Sequence, residues 1–160
     1  MSARAGVRLA VDVGEARVGL AATDPDALVA TPVMTLRRSA SGSDQRMLIK
    51  IAVDRAAKVI YVGLPLSLSG AETASTQAAR EYAEDLVRAL AEAELEAEIR
   101  LVDERLTTVS ASEKMRASGR KAKDQREAID QAAAVEILNH ALETRAALGT
   151  EPGQPVFPSS

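Results

Sequence analysis

Residues 7–23, VRLAVDVGEARVGLAAT, decide the fold, because they contain two short runs of β-branched and aliphatic residues separated by a glycine turn. The first run ends at Gly14 and the second covers 17–23, so the two are predicted to form a β-hairpin. A third extended stretch over 27–36 contains Pro32, which suits a strand at the edge of a sheet. The chain is therefore predicted to open with three strands joined as hairpins.

After residue 36 the pattern alternates between helices and strands. Helices are predicted at 44–58, from Thr73 or Ser75 to 93, at 107–117 and at 126–148, and strands at 59–62 and 98–103. This order predicts a single α/β domain over 7–148, with a mixed sheet and helices on its faces. Residues 1–6 are expected to be a flexible N-terminus and 149–160, rich in Gly, Pro and Ser, a disordered tail.

Composition limits the possible functions. With 160 residues, 46% of them hydrophobic, the chain can build one aliphatic core, and the lack of cysteine excludes disulfide and thiolate chemistry. The net charge of -3 and pI of about 5.3 provide no overall field that attracts nucleic acid, so polyanion binding would need a local basic patch or bound cations. No signal peptide and no apolar run long enough for a membrane span is found, so a soluble cytoplasmic protein with no membrane contact is expected.

Carboxylates occupy unusual positions at three places in this pattern. Asp12 interrupts the apolar run of the first strand, and Asp103 and Glu104 come at the end of the strand that begins at 98. Asp130 shares a helical face with the apolar residues at 133, 134, 137, 138, 141 and 142. Each acid alone could be a salt-bridged or capping residue. Together they favour a shared cation, and oxygen ligands without cysteine indicate Mg²⁺ or Mn²⁺.

Two further features have alternative interpretations. In the turn after Asp12, Gly14 and Gly19 could let the backbone approach an anion, or they could form an ordinary tight turn at positive φ. A basic run over 114–126 could be a solvated face or a loop that grips phosphates. Its cations are Lys114, Arg116, Arg120, Lys121, Lys123 and Arg126. No G-x-x-x-x-G-K-[ST] pattern is present, which excludes a P-loop.

At these residues the sequence resembles the YqgF family of Holliday-junction-resolvase-like proteins, also described as pre-16S rRNA nucleases. The resemblance covers residues 7–147, and D-x-G-x-x-R-x-G combined with DERLTT is its most specific part. The matching stretches are LAVDVGEARVGLAATD (9–24), VGLPLSLSG (62–70), VDERLTTVSA (102–111) and IDQAAAVEIL (129–138). It implies a ribonuclease H-like fold, with a five-stranded mixed sheet whose first three strands are antiparallel, flanked by helices.

The resemblance also implies roles for individual residues. Asp12, Glu104 and Asp130 would be the catalytic acids and would bind two Mg²⁺ or Mn²⁺ ions. Gly14, Gly19 and Asp103 would support the site. Arg17 and Arg105 would either contact phosphate or hold a carboxylate, and the flanking phosphates would be bound by Arg120, Lys121, Lys123 and Arg126.

The resemblance implies metal-dependent hydrolysis of phosphodiester bonds. The preferred biological role is maturation of the 5′ end of precursor 16S rRNA in ribosome biogenesis. The natural partner would then be precursor rRNA within ribosomal particles. One alternative is a Holliday junction resolvase acting on four-way DNA, which requires a homodimer to place two sites on two strands. Another is a non-catalytic module that binds RNA or the ribosome. A sugar-kinase-like enzyme needs two domains closing on ATP, for which 160 residues are too few.

The sequence departs from the family pattern at two places near the predicted site. Glu15 and Ala16 follow Asp12 where family members often have a basic residue, and Ser67 and Ser69 stand where Asn and Asp are common. Both changes alter charge or hydrogen bonding beside the acids, so they bear on substrate affinity and specificity.

Overall fold

One mixed sheet of six strands organises the computed structural model, which describes residues 5–106 and 122–158. Side chains are not described at residues 106 and 122–126. The strands are β1 (Arg8–Val13), β2 (Arg17–Thr23), β3 (Ala30–Arg37), β4 (Val59–Leu64), β5 (Glu98–Asp103) and β6 (Gln154–Val156). Their order across the sheet is β3-β2-β1-β4-β5-β6.

The first three strands are antiparallel, as predicted. β1 and β2 form the hairpin, closed where the Gly14 N–H donates to the Arg17 carbonyl at 2.8 Å. β3 pairs with the outside of β2, so Pro32 lies on an edge strand. On the other side of β1, β4 pairs with it in parallel, and β5 pairs in parallel with β4. The predicted number of five strands is wrong by one, because β6 pairs antiparallel with β5.

Three helices cover the two faces of the described part of the sheet. They are α1 (Ser43–Asp54), α2 (Ala74–Glu92) and α3 (Ala122–Leu148), and a short 3₁₀ turn (Glu104–Leu106) follows β5. Leu48 of α1 and Leu86 of α2 pack into one core with the strands. On the other face, α3 buries the predicted apolar stripe, which includes Ala134, Ile137, Leu138 and Ala141.

Helix boundaries differ from the sequence-based expectation where a local conformation overrides the apolar pattern. α1 ends at Asp54, before the predicted 58, because Ala56 adopts a left-handed φ of 53°. α2 begins after Thr73, whose side chain and that of Thr76 form a reciprocal capping box. α3 begins at Ala122, four residues earlier than predicted. The helix predicted at 107–117 lies outside the described residues.

The C-terminal segment is held by a polar cluster that the apolar pattern does not reveal. Part of the predicted disordered tail, 149–160, is strand β6. Just before it, Glu151 accepts hydrogen bonds from the Arg8 guanidinium at 2.6 Å and from the Tyr61 hydroxyl at 2.5 Å. Burial alone would raise the pKa of Glu151, but the hydrogen bonds from Tyr61 and Arg8 outweigh burial and lower it. The ion pair and hydrogen bonds of Glu151 therefore attach the C-terminal segment to the sheet, although this segment has few large apolar side chains.

At the other terminus, the predicted flexible segment 1–6 lies outside the described residues except for Ala5 and Gly6. The Gly6 N–H donates to the Pro25 carbonyl at 2.8 Å. Of the helices in the described ranges, none has the length and apolar character needed to cross a bilayer.

We expect Glu151→Ala to lower the free energy of unfolding by about 2–4 kcal/mol, because it leaves the guanidinium of Arg8, only 4% exposed, without its carboxylate. Urea unfolding at pH 7 measures this. The loss should shrink at acidic pH, since a lowered pKa contributes stability only while the carboxylate is ionised.

A matched control is Asp54→Ala, which removes the exposed ion pair between Lys50 and Asp54 at 2.9 Å and should cost about 0.5 kcal/mol or less. Equal losses in the two variants would show that the Glu151 cluster does not fasten the tail.

Candidate active site

Asp12 and Glu104 meet across a strand that has no side chain at the point of contact. Asp12 lies near the carboxyl end of β1 and Glu104 directly follows β5, with β4 between them. The carboxylate of Glu104 lies over Gly63 of β4, where a Cβ atom would stand 2.2 Å from Glu104 Oε1 and 2.6 Å from Ile137 Cδ1. Only glycine at 63 leaves room for this carboxylate. Sequence reasoning did not identify Gly63, although it falls within the matching stretch 62–70.

The two carboxyl groups are hydrogen-bonded to each other. Burial, the charge of Asp12 and this hydrogen bond raise the pKa of Glu104 to about 8. Burial also raises the pKa of Asp12, against the opposing effect of the hydrogen bond from Glu104, and the nearby charge of Asp130 raises it further. The pair therefore retains one shared proton near neutral pH instead of carrying two negative charges.

Asp130 approaches Asp12 from helix α3, which packs on one face of the sheet. Gly19 of β2 pairs directly with Asp12, and a Cβ on Gly19 would stand 2.1 Å from the Asp130 carbonyl oxygen. Glycine at this position therefore lets α3 approach the sheet closely. The structure thus places Asp130 near enough for its charge to raise the pKa of Asp12, while Asp12 and Glu104 are the pair in contact.

The two arginines predicted beside the acids both hold carboxylates. Arg17 Nε donates to Asp130 Oδ2 at 2.9 Å, with the two side chains 31% and 20% exposed. Arg105 donates to Asp103, with Nη2 to Oδ2 at 2.7 Å, and these hydrogen bonds lower the pKa of Asp103. Arg105 Nη1 also donates to the Leu68 carbonyl at 3.4 Å, which ties the loop after β4 to the turn that carries Glu104. Contact of either arginine with phosphate stays a prediction.

The turn and loop beside the acids have local structural roles. Gly14 does not have a positive φ, so the interpretation as an ordinary tight turn at positive φ is wrong. A Cβ atom on residue 14 would lie 2.9 Å from the Arg17 carbonyl oxygen, and glycine permits this close approach. In the loop after β4, the Ser67 and Ser69 hydroxyls lie 2.9 Å apart and Ser67 Oγ accepts the Ala71 N–H at 3.0 Å. The two serines that depart from the family pattern therefore bond within their own loop.

The predicted phosphate-binding cations belong to the segment 120–126, at the border of the described residues. Arg120 and Lys121 lie outside the described residues. Lys123 and Arg126 belong to the first turns of α3, whose backbone alone is described there. Their contact with substrate stays a prediction.

The donor chemistry of the site fits a hard divalent cation. Burial and the nearby charge of Asp12 raise the pKa of Glu104, and a bound cation would offset both effects in place of the proton. Within residues 5–106 and 122–158, no group of three or more acidic or histidine side chains is already arranged around one point. Asp12 and Glu104 are the contacting pair, while Asp130 is engaged by Arg17.

Comparison with known proteins gives a family match and several relatives. The family model described as RuvX, Holliday junction resolvase, matches residues 6–144. Relatives named "Putative pre-16S rRNA nuclease" include one from Clavibacter sepedonicus, 54% identical over 94% of this chain and 91% of its own length. Others are from Leifsonia xyli subsp. xyli, 48% identical over 97% of each chain, and from Mycobacterium tuberculosis, 47% identical over 92% of this chain and 86% of its own.

Among solved structures, T. thermophilus RuvC in complex with a Holliday junction substrate is similar, with a TM-score of 0.57 and 14% identity. The match covers 94% of this chain and 99% of that chain. This likeness confirms the predicted ribonuclease H-like fold, apart from the additional strand β6.

In EDTA, we expect stability to fall as the pH rises from about 4.5 to about 8, because a carboxyl group with a raised pKa favours the folded state only while it is protonated. Glu104→Gln removes that group, so it should raise the melting temperature by roughly 5 °C at pH 8 and have little effect near pH 5. Mg²⁺ should stabilise the wild type more at pH 8 than at pH 5.5, because protons compete for the same oxygens.

Thermal melts followed by circular dichroism measure these changes. The control is Glu96→Gln, at an exposed glutamate before β5, which should leave the pH profile unchanged. A lower melting temperature for Glu104→Gln at pH 8 in EDTA would contradict repulsion between the two carboxyl groups.

Proposed function

The chain belongs to the RuvX family of Holliday junction resolvases, and from that premise we propose that it is a metal-dependent nuclease that matures the 5′ end of precursor 16S rRNA. The names of relatives 47–54% identical over more than nine-tenths of the chain support the substrate. Such an enzyme would act in the cytoplasm on ribosomal particles.

One observation carries the proposal: the contact between the Asp12 and Glu104 carboxyl groups beside Asp130. Burial and mutual repulsion make this contact unfavourable, as the raised pKa values of both acids indicate. Groups with strongly perturbed pKa values at the carboxyl ends of parallel strands are typical of active sites. A module that only bound RNA would gain nothing from acids clustered next to phosphate.

In the proposed mechanism, Asp12, Glu104 and Asp130 would hold two Mg²⁺ or Mn²⁺ ions. Such ions, when bound, lower the pKa of an attacking water and stabilise the leaving oxygen of the phosphodiester. The residues of the chain prepare this site. On cation binding, the proton held between Asp12 and Glu104 would pass to solvent water and leave charged oxygens, and Arg17 fixes the orientation of Asp130.

Neighbouring residues orient Glu104. Asp103 and Arg105 lock the turn that carries Glu104, through the ion pair at 2.7 Å. Gly63 leaves space for the Glu104 carboxylate to reach Asp12. Together these contacts hold the acids before a substrate arrives, which lowers the entropy lost on reaching the reactive geometry.

A second candidate, Holliday junction resolution, is favoured by the description of the matching family. Cutting two strands of a four-way junction symmetrically requires two copies of the site, hence a homodimer. Trimming precursor rRNA works with a single copy, so substrate preference and oligomeric state together separate the two candidates.

We expect the wild type to cleave a precursor 16S rRNA transcript in Mg²⁺ or Mn²⁺ and not in EDTA. Asp12→Asn and Asp130→Asn should each reduce cleavage about 1000-fold or more, because each removes charge that several kcal/mol of transition-state stabilisation depends on. Gel assays on end-labelled transcript, on unstructured RNA and on a four-way DNA junction measure this.

Asp54→Asn is the control, since this aspartate is 60% exposed on α1 and should leave cleavage unchanged. Preferential cutting of the junction by a dimer would select the second candidate. Full activity of Asp12→Asn would reject the assigned site, and no cutting of any substrate by the wild type would favour a binding module.

A further inference from the structure

We propose that Arg37, at the end of β3, binds a backbone phosphate that flanks the scissile one, on a surface between the acids and the open edge of the sheet. This inference rests on the proposed function, because it assigns a route for the nucleic acid strand across that same site. It also assigns substrate contact to a residue that sequence reasoning missed.

The strand register places Arg37 on the face of the sheet that carries the acids. Arg37 pairs directly with Arg17 across β2 and β3, and Thr35 pairs with Gly19. Paired residues project from the same face, and residues two apart along a strand share it. That face is the one covered by α3, because the Thr35 hydroxyl donates to the Glu127 carbonyl at 3.0 Å.

The charges on this face are unbalanced. Like charges directly opposite each other in an antiparallel pair are destabilising, and here two guanidinium groups are opposed. Arg17 is compensated by Asp130. Arg37 is exposed and, among the residues described, has no ion pair or hydrogen bond to its side chain. An anion between the two arginines would relieve their repulsion.

The other arginines near the site whose side chains the structure describes are already engaged. Arg38, the next residue, donates from Nη1 to the Gly14 carbonyl at 3.0 Å and lies 5.5 Å from the centre of the Tyr82 ring. Arg105 is held by Asp103. Among the described arginines around the acids, Arg37 is therefore the one whose guanidinium is available to a ligand.

The spacing indicates which phosphate Arg37 would contact. Crossing two strands at about 4.8 Å each and advancing two residues at about 3.3 Å each puts the Arg37 Cα about 12 Å from that of Asp12. This separation is too large for the phosphate being cleaved and suits a neighbouring one. Because β3 is an edge strand, no further strand within residues 5–106 and 122–158 pairs with its outer side. Such a contact supplies affinity without reading sequence.

The test measures binding and catalysis separately. Binding of a fluorescently labelled single-stranded RNA from the precursor 16S 5′ region is followed by anisotropy, in the Asp12→Asn background with Mg²⁺, over a series of salt concentrations. Arg37→Ala should weaken binding about tenfold, as expected for one charged hydrogen bond, and should reduce the slope of log K against log salt by about 0.7. Arg37→Lys should retain the slope, because it retains the charge.

In otherwise wild-type enzyme, Arg37→Ala should raise KM about tenfold and leave kcat unchanged, because the contact forms equally in the ground and transition states. Shortening the RNA from one end until the flanking phosphate is lost should abolish the difference between wild type and variant. The control is Arg55→Ala. This exposed arginine lines a cavity with Val7 and Thr23, at the opposite end of the β1–β2 hairpin, and its loss should change neither quantity.

The outcomes separate this inference from the proposed function. Cleavage by the wild type with unchanged binding and salt slope in Arg37→Ala would overturn the inference and leave the nuclease intact. A lower melting temperature in Arg37→Ala that accounts for the loss would also overturn it, since removal of a repelling charge should not destabilise the fold. No cleavage by the wild type, with binding still weakened in Arg37→Ala, would overturn the nuclease and retain the phosphate contact.

Discussion

The contact between the Asp12 and Glu104 carboxyl groups across β4 imposes the constraint that the rest of this end of the molecule satisfies. Their contact requires a strand between them without a side chain, and Gly63 provides it. It requires a third layer close enough to add Asp130, and Gly19 lets α3 descend to that distance. These two glycines are needed because they have no side chain. They are not needed for an unusual backbone conformation, since neither has a positive φ.

Charged groups are compensated at one end of the sheet, whereas at the other end two acids lie beside like charge. Near the start of β1, Arg8, Tyr61 and Glu151 form a compensated cluster that fastens the C-terminal segment and adds β6 to the sheet. At the carboxyl end of the same strand, burial and nearby negative charge raise the pKa values of Asp12 and Glu104. Stabilisation at the first end offsets destabilisation at the second, which is how a small domain can retain a site that is unfavourable without its ligand.

Sequence periodicity was sufficient where a residue's neighbours along the chain determine its environment. The hairpin, the edge strand marked by Pro32 and the apolar stripe that turns Asp130 inward all follow from local patterns, and all are present. Features that depend on strand register could not be predicted this way. Gly63 under Glu104 and Arg37 opposite Arg17 become meaningful only once specific residues of different strands are paired. Strand β6 depends on an ion pair between residues 143 positions apart, for which apolar periodicity carries no signal.

Electrostatics then explains how an acidic chain can approach a polyanion. With a net charge of -3, attraction has to be local, yet Arg17 and Arg105 are both occupied by carboxylates of the chain itself. Positive charge for the substrate must therefore come from groups that those acids do not neutralise. Cations held by the acids would serve at the cleaved phosphate, and Arg37 lies further out, at the edge of the sheet. Catalysis would then depend on the cations, and positioning of the nucleic acid strand would depend on fixed side chains. The two properties can therefore be altered independently.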